Sequence, residues 1–194
     1  MSAKIFAIGL SKTATKSLDQ ALKELGFESK HMPKIPKILA GNFRCLDQYD
    51  AVSDIPVVPY YPQLDKAYPG SKFILTVRNI EDWLRSMERM FNRPHKPSKW
   101  RMQVRIAVYG IHTFHADRLR YVYERHVREV NEYFKDRPQD LLIMDICAGE
   151  GWDKLCSFLN KSVPRTDFPF IRSGVRRKAK RQGVLSRLVS WRFK

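Results

Sequence analysis

Acidic residues are the scarce component of this 194-residue chain, with 20 Asp and Glu against 36 Lys and Arg, a formal charge of +16. The shortage is complete over residues 172–194, which hold nine basic residues and no acid and so supply more than half of the excess. Such a balance suits a ligand carrying several negative charges. Cysteine is also sparse. Three residues (Cys45, Cys147 and Cys156) cannot build a disulfide framework. Cys147 and Cys156 lie in apolar stretches and read as core residues, and the expected compartment is a reducing cytoplasm. No apolar run approaches the roughly 18 residues of a membrane span. The segment Ile5–Leu10 is too short for a secretory signal and reads instead as a strand. There is no internal repeat and no metal-ligand spacing. A hydrophobic content of 43% can supply one core, and the length suits a single α/β unit.

What the chain does contain is a strand, a polar loop and a helix in immediate succession, KIFAIGLSKTATKSL over residues 4–18. Ile5, Phe6, Ala7 and Ile8 make a buried strand, and Gly9 allows a sharp exit. Leu18, Ala21, Leu22 and Leu25 then fall on one helix face. Between them lie Ser11, Lys12, Thr13, Ala14, Thr15, Lys16 and Ser17. A helix N-terminus carries unpaired N–H groups and a partial positive charge. Lysine and hydroxyl side chains beside it make an anion site suited to phosphate-like groups. The nucleotide-binding P-loop pattern does not fit. Counting from Gly9, that pattern requires a second glycine at Ala14 and a lysine at Thr15, and the Lys16-Ser17 pair arrives one residue late.

A second segment, PGSKFILTVRNIEDWLRSMERM over residues 69–90, repeats the arrangement. Pro69-Gly70 turns the chain, and residues 72–77 form a β-branched strand. Arg78 stands at the strand's end, and Asn79 caps the following helix with Asp82 as a weak capping-box partner. Ligands of open parallel sheets sit at the carboxyl ends of the strands, so Arg78 shares a rim with the first loop. Its planar fork can grip a phosphate at two points. Ser86 follows eight residues later, two helical turns on.

Together these segments resemble the PAPS-dependent sulfotransferases, which use 3′-phosphoadenosine 5′-phosphosulfate as sulfuryl donor, and in particular a branch of small bacterial-type enzymes. The stretches 49–83 and 141–160 extend the resemblance, which covers residues 4 to about 171. It implies a three-layer P-loop-like α/β fold, with a central parallel sheet flanked by helices. It also implies that the loop from Ser11 to Ser17 holds the 5′-phosphosulfate, with Lys12 neutralising charge on the leaving phosphate of the product PAP. Arg78 and Ser86 would hold the 3′-phosphate. Asp54, in Ser53-Asp54-Ile55-Pro56, takes the position of the family's catalytic base, and His31 is the alternative base. Two departures stand out. Ala14 replaces a glycine, restricting the backbone there, and Lys16 replaces a threonine, adding a charge. No metal is expected. The acceptor would be a small-molecule, lipid or glycan hydroxyl, or an amine. Its pocket would be built from 28–50, 55–65 and 92–125, with Tyr60, Tyr61, Phe91, Trp100 and Tyr109 as lining.

The remaining elements are read as a helix over 17–25, a Pro-interrupted segment 31–40, a strand at 51–54 and helices over 60–68 and 80–91. A polar break at 92–98, a long helical region 99–135, a strand at 141–146 and a helix over 151–160 follow. Strands alternating with helices argue for a parallel sheet covered on both faces. The expected organisation is a sulfotransferase domain over 1–171 and a basic amphipathic tail over 172–194. The tail has three readings: packed or solvated, laid on an anionic membrane surface, or closed over the 3′-phosphate through Arg172 and Arg176. A cytoplasmic protein, peripheral to the membrane if the tail docks there, is the resulting location. Two rival functions fit parts of the sequence. A P-loop-type small-molecule kinase would bind ATP with magnesium and use Asp145 for the metal. A nucleic-acid-binding module would use Trp100, Arg101 and Arg105, but the basic excess is concentrated in the tail and no binding motif appears.

Overall fold

The computed structural model describes residues 3–33, 36–55, 57–94 and 97–171. Five short strands, β1 (Ile5–Ala7), β2 (Ser29–His31), β3 (Ala51–Ser53), β4 (Lys72–Thr76) and β5 (Leu141–Met144), form one sheet in the order β2-β3-β1-β4-β5. Every neighbouring pair is parallel. The central strand β1 shows why both faces are covered. Successive side chains of a strand point to opposite faces. Ile5 and Ala7 accordingly pack with Leu18, Ala21 and Leu22 of helix α1 (Thr15–Glu24). Phe6 and Ile8 pack on the other face with Ile38 of α2 (Pro36–Leu39), and Leu64 of α3 (Tyr61–Ala67) completes that side with residues from later in the chain.

The connection from β4 to β5 carries three helices, α4 (Ile80–Phe91), α5 (Lys99–Tyr109) and α6 (Ala116–Phe134). The lower half of α6 lays Val130 and Phe134 on the sheet. Its upper half joins α4 and α5 in a separate cluster around Trp83, Met87, Tyr109 and Leu119, beside Leu10 and Ile55. After β5, α7 (Trp152–Leu159) returns to the α1 face through Trp152 and Leu155. The result is the three-layer parallel α/β fold expected from the sequence.

Several boundaries differ from the sequence reading, each for a local reason. Helix α1 starts two residues earlier than expected, at Thr15, because Ala14 takes a left-handed conformation (φ 67°) and turns the chain into the helix. Strand β2 was not anticipated. It is three residues long with an exposed lysine at its centre, so it carries no apolar alternation. The helical region 99–135 is two helices, since α5 ends at Gly110 in a left-handed cap (φ 71°). Strand β3 stops at Ser53, and Asp54 already turns away with φ 77°. Strand β5 stops at Met144. Asp145 instead caps a short turn, its carboxylate accepting from the Ala148 amide at 3.0 Å, so the side chain offered to a kinase metal is engaged locally.

The chain order creates a crevice at β1. From β1 the chain runs outward to β2, returns to β3, and then passes to β4 on the far flank. The carboxyl end of β1 is therefore the switch point where ligands of open α/β sheets bind. Gly9 lies there because the sheet leaves no room for a side chain. A Cβ at that position would fall 1.9 Å from Thr76 Oγ1 and 2.7 Å from the Thr76 carbonyl oxygen. Close approach to β4, rather than an unusual φ, is what requires the glycine.

Candidate functional site

The loop after β1 is held by its own polar groups. Thr13 Oγ1 donates to the Leu10 carbonyl at 2.6 Å and lies 2.6 Å from Thr76 Oγ1, and the Thr13 amide bonds Leu10 O as well. Thr13, expected among the anion ligands, is thus engaged inside the loop. Trp83 Nε1 donates to the Ser11 carbonyl at 2.9 Å, fixing the loop to α4. No side chain caps α1. The amides of its first residues, Thr15 and Lys16, have no protein acceptor among the described residues. Those N–H groups, with the helix dipole behind them, are available to an anion.

Two cavities open at this rim. One, of about 160 Å³, is bounded by Ser11, Lys12, Thr15, Lys16, His31, Met32, Asp54, Ile55, Met90, Arg93, Arg101 and Arg105. The other, of about 420 Å³, is bounded by Lys12, Ser17, Arg78, Asp82, Ser86, Arg89, Cys147 and Phe170. Lys12, Ala14 and Ile171 belong to both. Lys12 sits at the junction in a left-handed conformation (φ 76°). Burial first, then the charges of Arg93, Lys16, Arg78 and Arg89, press its ammonium below the usual lysine range. Cations gathered in this way repel one another until a counter-charge arrives.

The larger cavity is organised by the end of β4 and the start of α4. Asn79 Oδ1 accepts from the Glu81 and Asp82 amides at 3.1 and 3.2 Å, capping α4 as read from the sequence. Tyr123 from α6 clamps the backbone at Arg78, its hydroxyl accepting from the amide at 2.8 Å and donating to the carbonyl at 2.7 Å. The Arg78 side chain donates through Nη1 to the Lys12 carbonyl at 3.2 Å, which ties the two loops together. Its Nε is buried and has no partner among the described residues, and a buried donor left unpaired costs about 1–3 kcal/mol. Ser86 lines the same cavity. Arg89 joins it, one helical turn beyond. Sequence reading missed Arg89, although Asp82, Ser86 and Arg89 recur at four- and three-residue steps, the signature of one helix stripe, and it missed Arg93, which lies beyond the end of α4 and borders the smaller cavity. Ser17 borders this cavity, but its Oγ accepts from the Ile171 amide at 2.9 Å.

In the smaller cavity the two base candidates meet. Asp54 Oδ1 accepts from Ser11 Oγ and from the Ile55 amide, both at 2.7 Å. Asp54 Oδ2 lies 3.2 Å from His31 Nε2, and His31 Nδ1 lies 3.0 Å from Ser53 Oγ. Burial holds the His31 imidazole below its ordinary pKa, against the opposing pull of Asp54. The neutral ring therefore places its Nε2 proton toward Asp54 and leaves Nδ1 to accept from Ser53. Lys12, Ala14, Met32 and Asp54, four of the five non-glycine residues with positive φ among the described residues, all border this cavity. Backbone strain of this kind concentrates where a site must be held open.

The expected aromatic lining is replaced by arginine and methionine. None of Tyr60, Tyr61, Phe91, Trp100 and Tyr109 borders the smaller cavity. Tyr61 packs against Phe134 and Tyr133 in the core under the sheet, and Tyr109 is fully buried among α4, α5 and α6. Phe91 instead supports Arg105, whose guanidinium lies 4.7 Å above its ring. Arg172 and Arg176 lie outside the described residues.

The all-parallel sheet, with an uncapped helix start and clustered cations at its switch point, belongs to the P-loop-like α/β class. A profile of the sulfotransferase domain matches residues 4–175, and the chain belongs to that family. It is 27% identical over 213 aligned positions to the Ava biosynthesis cluster protein M of Aspergillus versicolor, covering 87% of this chain and 80% of that protein. A crystal structure of a sulfotransferase from Alicyclobacillus acidocaldarius shares the fold, with a TM-score of 0.55 and 15% identity over 86% of this chain and 84% of that one.

Proposed function

We propose that the protein transfers a sulfuryl group from PAPS to an acceptor hydroxyl or amine and releases PAP. The observation that carries this reading is the position of Lys12. It is shared by a cationic cavity lined by Arg78, Ser86 and Arg89 and by one that holds the Asp54–His31 pair. The residues suit the donor. The unpaired Arg78 Nε and the free amides of Thr15 and Lys16 are acceptor-seeking groups on either side of Lys12. Arg78, Ser86 and Arg89 hold the 3′-phosphate; Lys12, Thr15 and Lys16 hold the 5′-phosphosulfate.

Asp54 is the base. Oδ1 is engaged by Ser11 and the Ile55 amide and Oδ2 by His31 alone, which leaves Oδ2 to take the proton of the attacking group as the new bond to sulfur forms. His31 positions that oxygen. As the bond between sulfur and the bridging oxygen breaks, charge grows on the leaving 5′-phosphate, and Lys12 offsets it. Electrostatic stabilisation of this type is commonly the largest catalytic contribution. Residues 1–171 are the catalytic domain in this reading. The three unpaired cysteines agree with a reducing cytoplasm. No described helix is long and apolar enough to cross a membrane.

Calorimetric titration with PAP, and separately with ATP and magnesium, tests the proposal on the wild type, Lys12→Ala and Arg78→Ala. Tight PAP binding that both variants weaken and ATP does not match is the expected result. Binding of ATP with magnesium in place of PAP would overturn it and promote the kinase.

A further inference from the structure

The smaller cavity holds more positive charge than the donor accounts for. Two phosphate-type groups and a sulfonate bring about four negative charges at neutral pH. Lys12, Lys16, Arg78 and Arg89 already answer them. Arg93, Arg101 and Arg105 remain, and all three border the cavity that contains Asp54. None of the three forms an ion pair among the described residues. The one carboxylate bordering that cavity, Asp54, is engaged by Ser11, the Ile55 amide and His31.

The three arginines are also arranged rather than merely near. Arg101 and Arg105 stand four residues apart on α5, which places them on one face. Arg105 is half-buried with its guanidinium over the Phe91 ring, a contact that restrains it at the cavity wall. Arg93 lies just beyond the end of α4. Met32, Ile55 and Met90 supply the apolar part of the wall.

We propose that the acceptor is itself an anion: a molecule with an oxyanionic group, carboxylate or phosphate, on an apolar body that also bears the hydroxyl or amine to be sulfated. Arg93, Arg101 and Arg105 bind the oxyanion and so aim the nucleophile at Asp54. This substrate class rests on the sulfotransfer reading above.

The test separates the two. PAP is first titrated into the wild type, which judges the donor site alone. The PAP-saturated protein is then titrated with phenyl phosphate, with benzoate, and with benzyl alcohol as the neutral match, and the series is repeated on the Arg101→Gln/Arg105→Gln double variant. Phenyl phosphate or benzoate should bind at least tenfold more tightly than benzyl alcohol, and which of the two is preferred tells phosphate from carboxylate. The double variant should lose that preference tenfold or more while its PAP affinity holds. Equal binding of charged and neutral probes, or a preference unchanged in the variant, would overturn the proposal. Should the double variant fail to fold, the exposed single substitution Arg101→Gln is read the same way. If PAP does not bind the wild type, the sulfotransfer reading fails by itself, and the variant contrast on the free protein still decides whether the arginines hold an oxyanion.

Discussion

His31 Nε2 lies 3.2 Å from Asp54 Oδ2, joining the carboxyl ends of two adjacent strands across 23 residues of sequence. Two residues that sequence reading offers as rival bases are thereby one unit. The division of labour follows from the other bonds. Both ring nitrogens of His31 are engaged, whereas Asp54 Oδ2 has His31 alone as its partner among the described residues.

Asp54→Asn should therefore lower the sulfuryl-transfer rate by about 10²–10⁴-fold, the usual contribution of a general base. The amide oxygen can still accept from Ser11 and Ile55, so folding and PAP affinity should hold. His31→Gln should cost less, about tenfold, because it disturbs orientation rather than the proton acceptor. Initial rates with PAPS and any acceptor found by screening check both. An equal or larger loss in His31→Gln would assign the base to histidine.

Gly9→Ala should be strongly destabilising. The new methyl would meet the Thr76 hydroxyl at 1.9 Å and the Thr76 carbonyl at 2.7 Å. Overpacking of a rigid site costs about 1–3 kcal/mol or more. Because the second obstacle is backbone, removing the hydroxyl with Thr76→Ala should restore only part of the lost urea midpoint. Full rescue would show that the hydroxyl alone excludes a side chain.

Ala14→Gly should stabilise the free protein. Ala14 has φ 67°, a conformation that costs a non-glycine residue about 1–2 kcal/mol. Glycine's greater freedom in the unfolded chain returns part of that, leaving a net gain below about 1 kcal/mol. A raised midpoint in urea denaturation is the expected outcome. A lowered one would mean that the Ala14 methyl, which packs beside the α1 cluster, contributes more than the strain removes.

Stability should fall in mild acid. Burial lowers the pKa of His31, against Asp54, and of His126, whose Nε2 meets the Ile8 carbonyl at 2.8 Å. Above the ordinary histidine value of about 6.5 both are neutral whether folded or not, and neither contributes a pH dependence. As pH falls below that value the unfolded chain binds protons that the folded protein resists, so folding weakens. The limiting slope is about 1.4 kcal/mol per pH unit for each histidine. Urea midpoints measured between about pH 7 and pH 5.5 should drop, and His126→Gln should flatten the drop. An unchanged midpoint across that range would contradict the neutral state of both rings.

What could be read from the sequence was what depends on neighbours along the chain. The apolar run of β1, the helix face of Leu18, Ala21 and Leu22, the Asn79 cap and the eight-residue step from Arg78 to Ser86 are all local patterns. Each appears in the structure where the pattern places it. β2 escaped because three residues with an exposed Lys30 carry no periodicity. The break at Gly110 was hidden because the apolar spacing continues on both sides of it. There the turn is held from outside the helix, with Arg118 Nε donating to the Tyr109 carbonyl at 3.1 Å.

The sequence by itself determined a parallel α/β protein with a loop of lysines and hydroxyls opening a helix and an arginine at a second strand end, because strand and helix periodicities and helix-start chemistry are set within a few residues. Only the tertiary structure decided how those parts act together. Parallel pairing of β2 with β3 sets His31 against Asp54, and the position of β1 between β3 and β4 puts Lys12 at the meeting of two cavities. Packing of α5 against α4 and α6 brings Arg101 and Arg105 to the cavity of Asp54 while burying Tyr109, which the sequence reading expected to line the pocket. Such contacts join residues tens of positions apart, and no local pattern along the chain encodes which strand ends become neighbours.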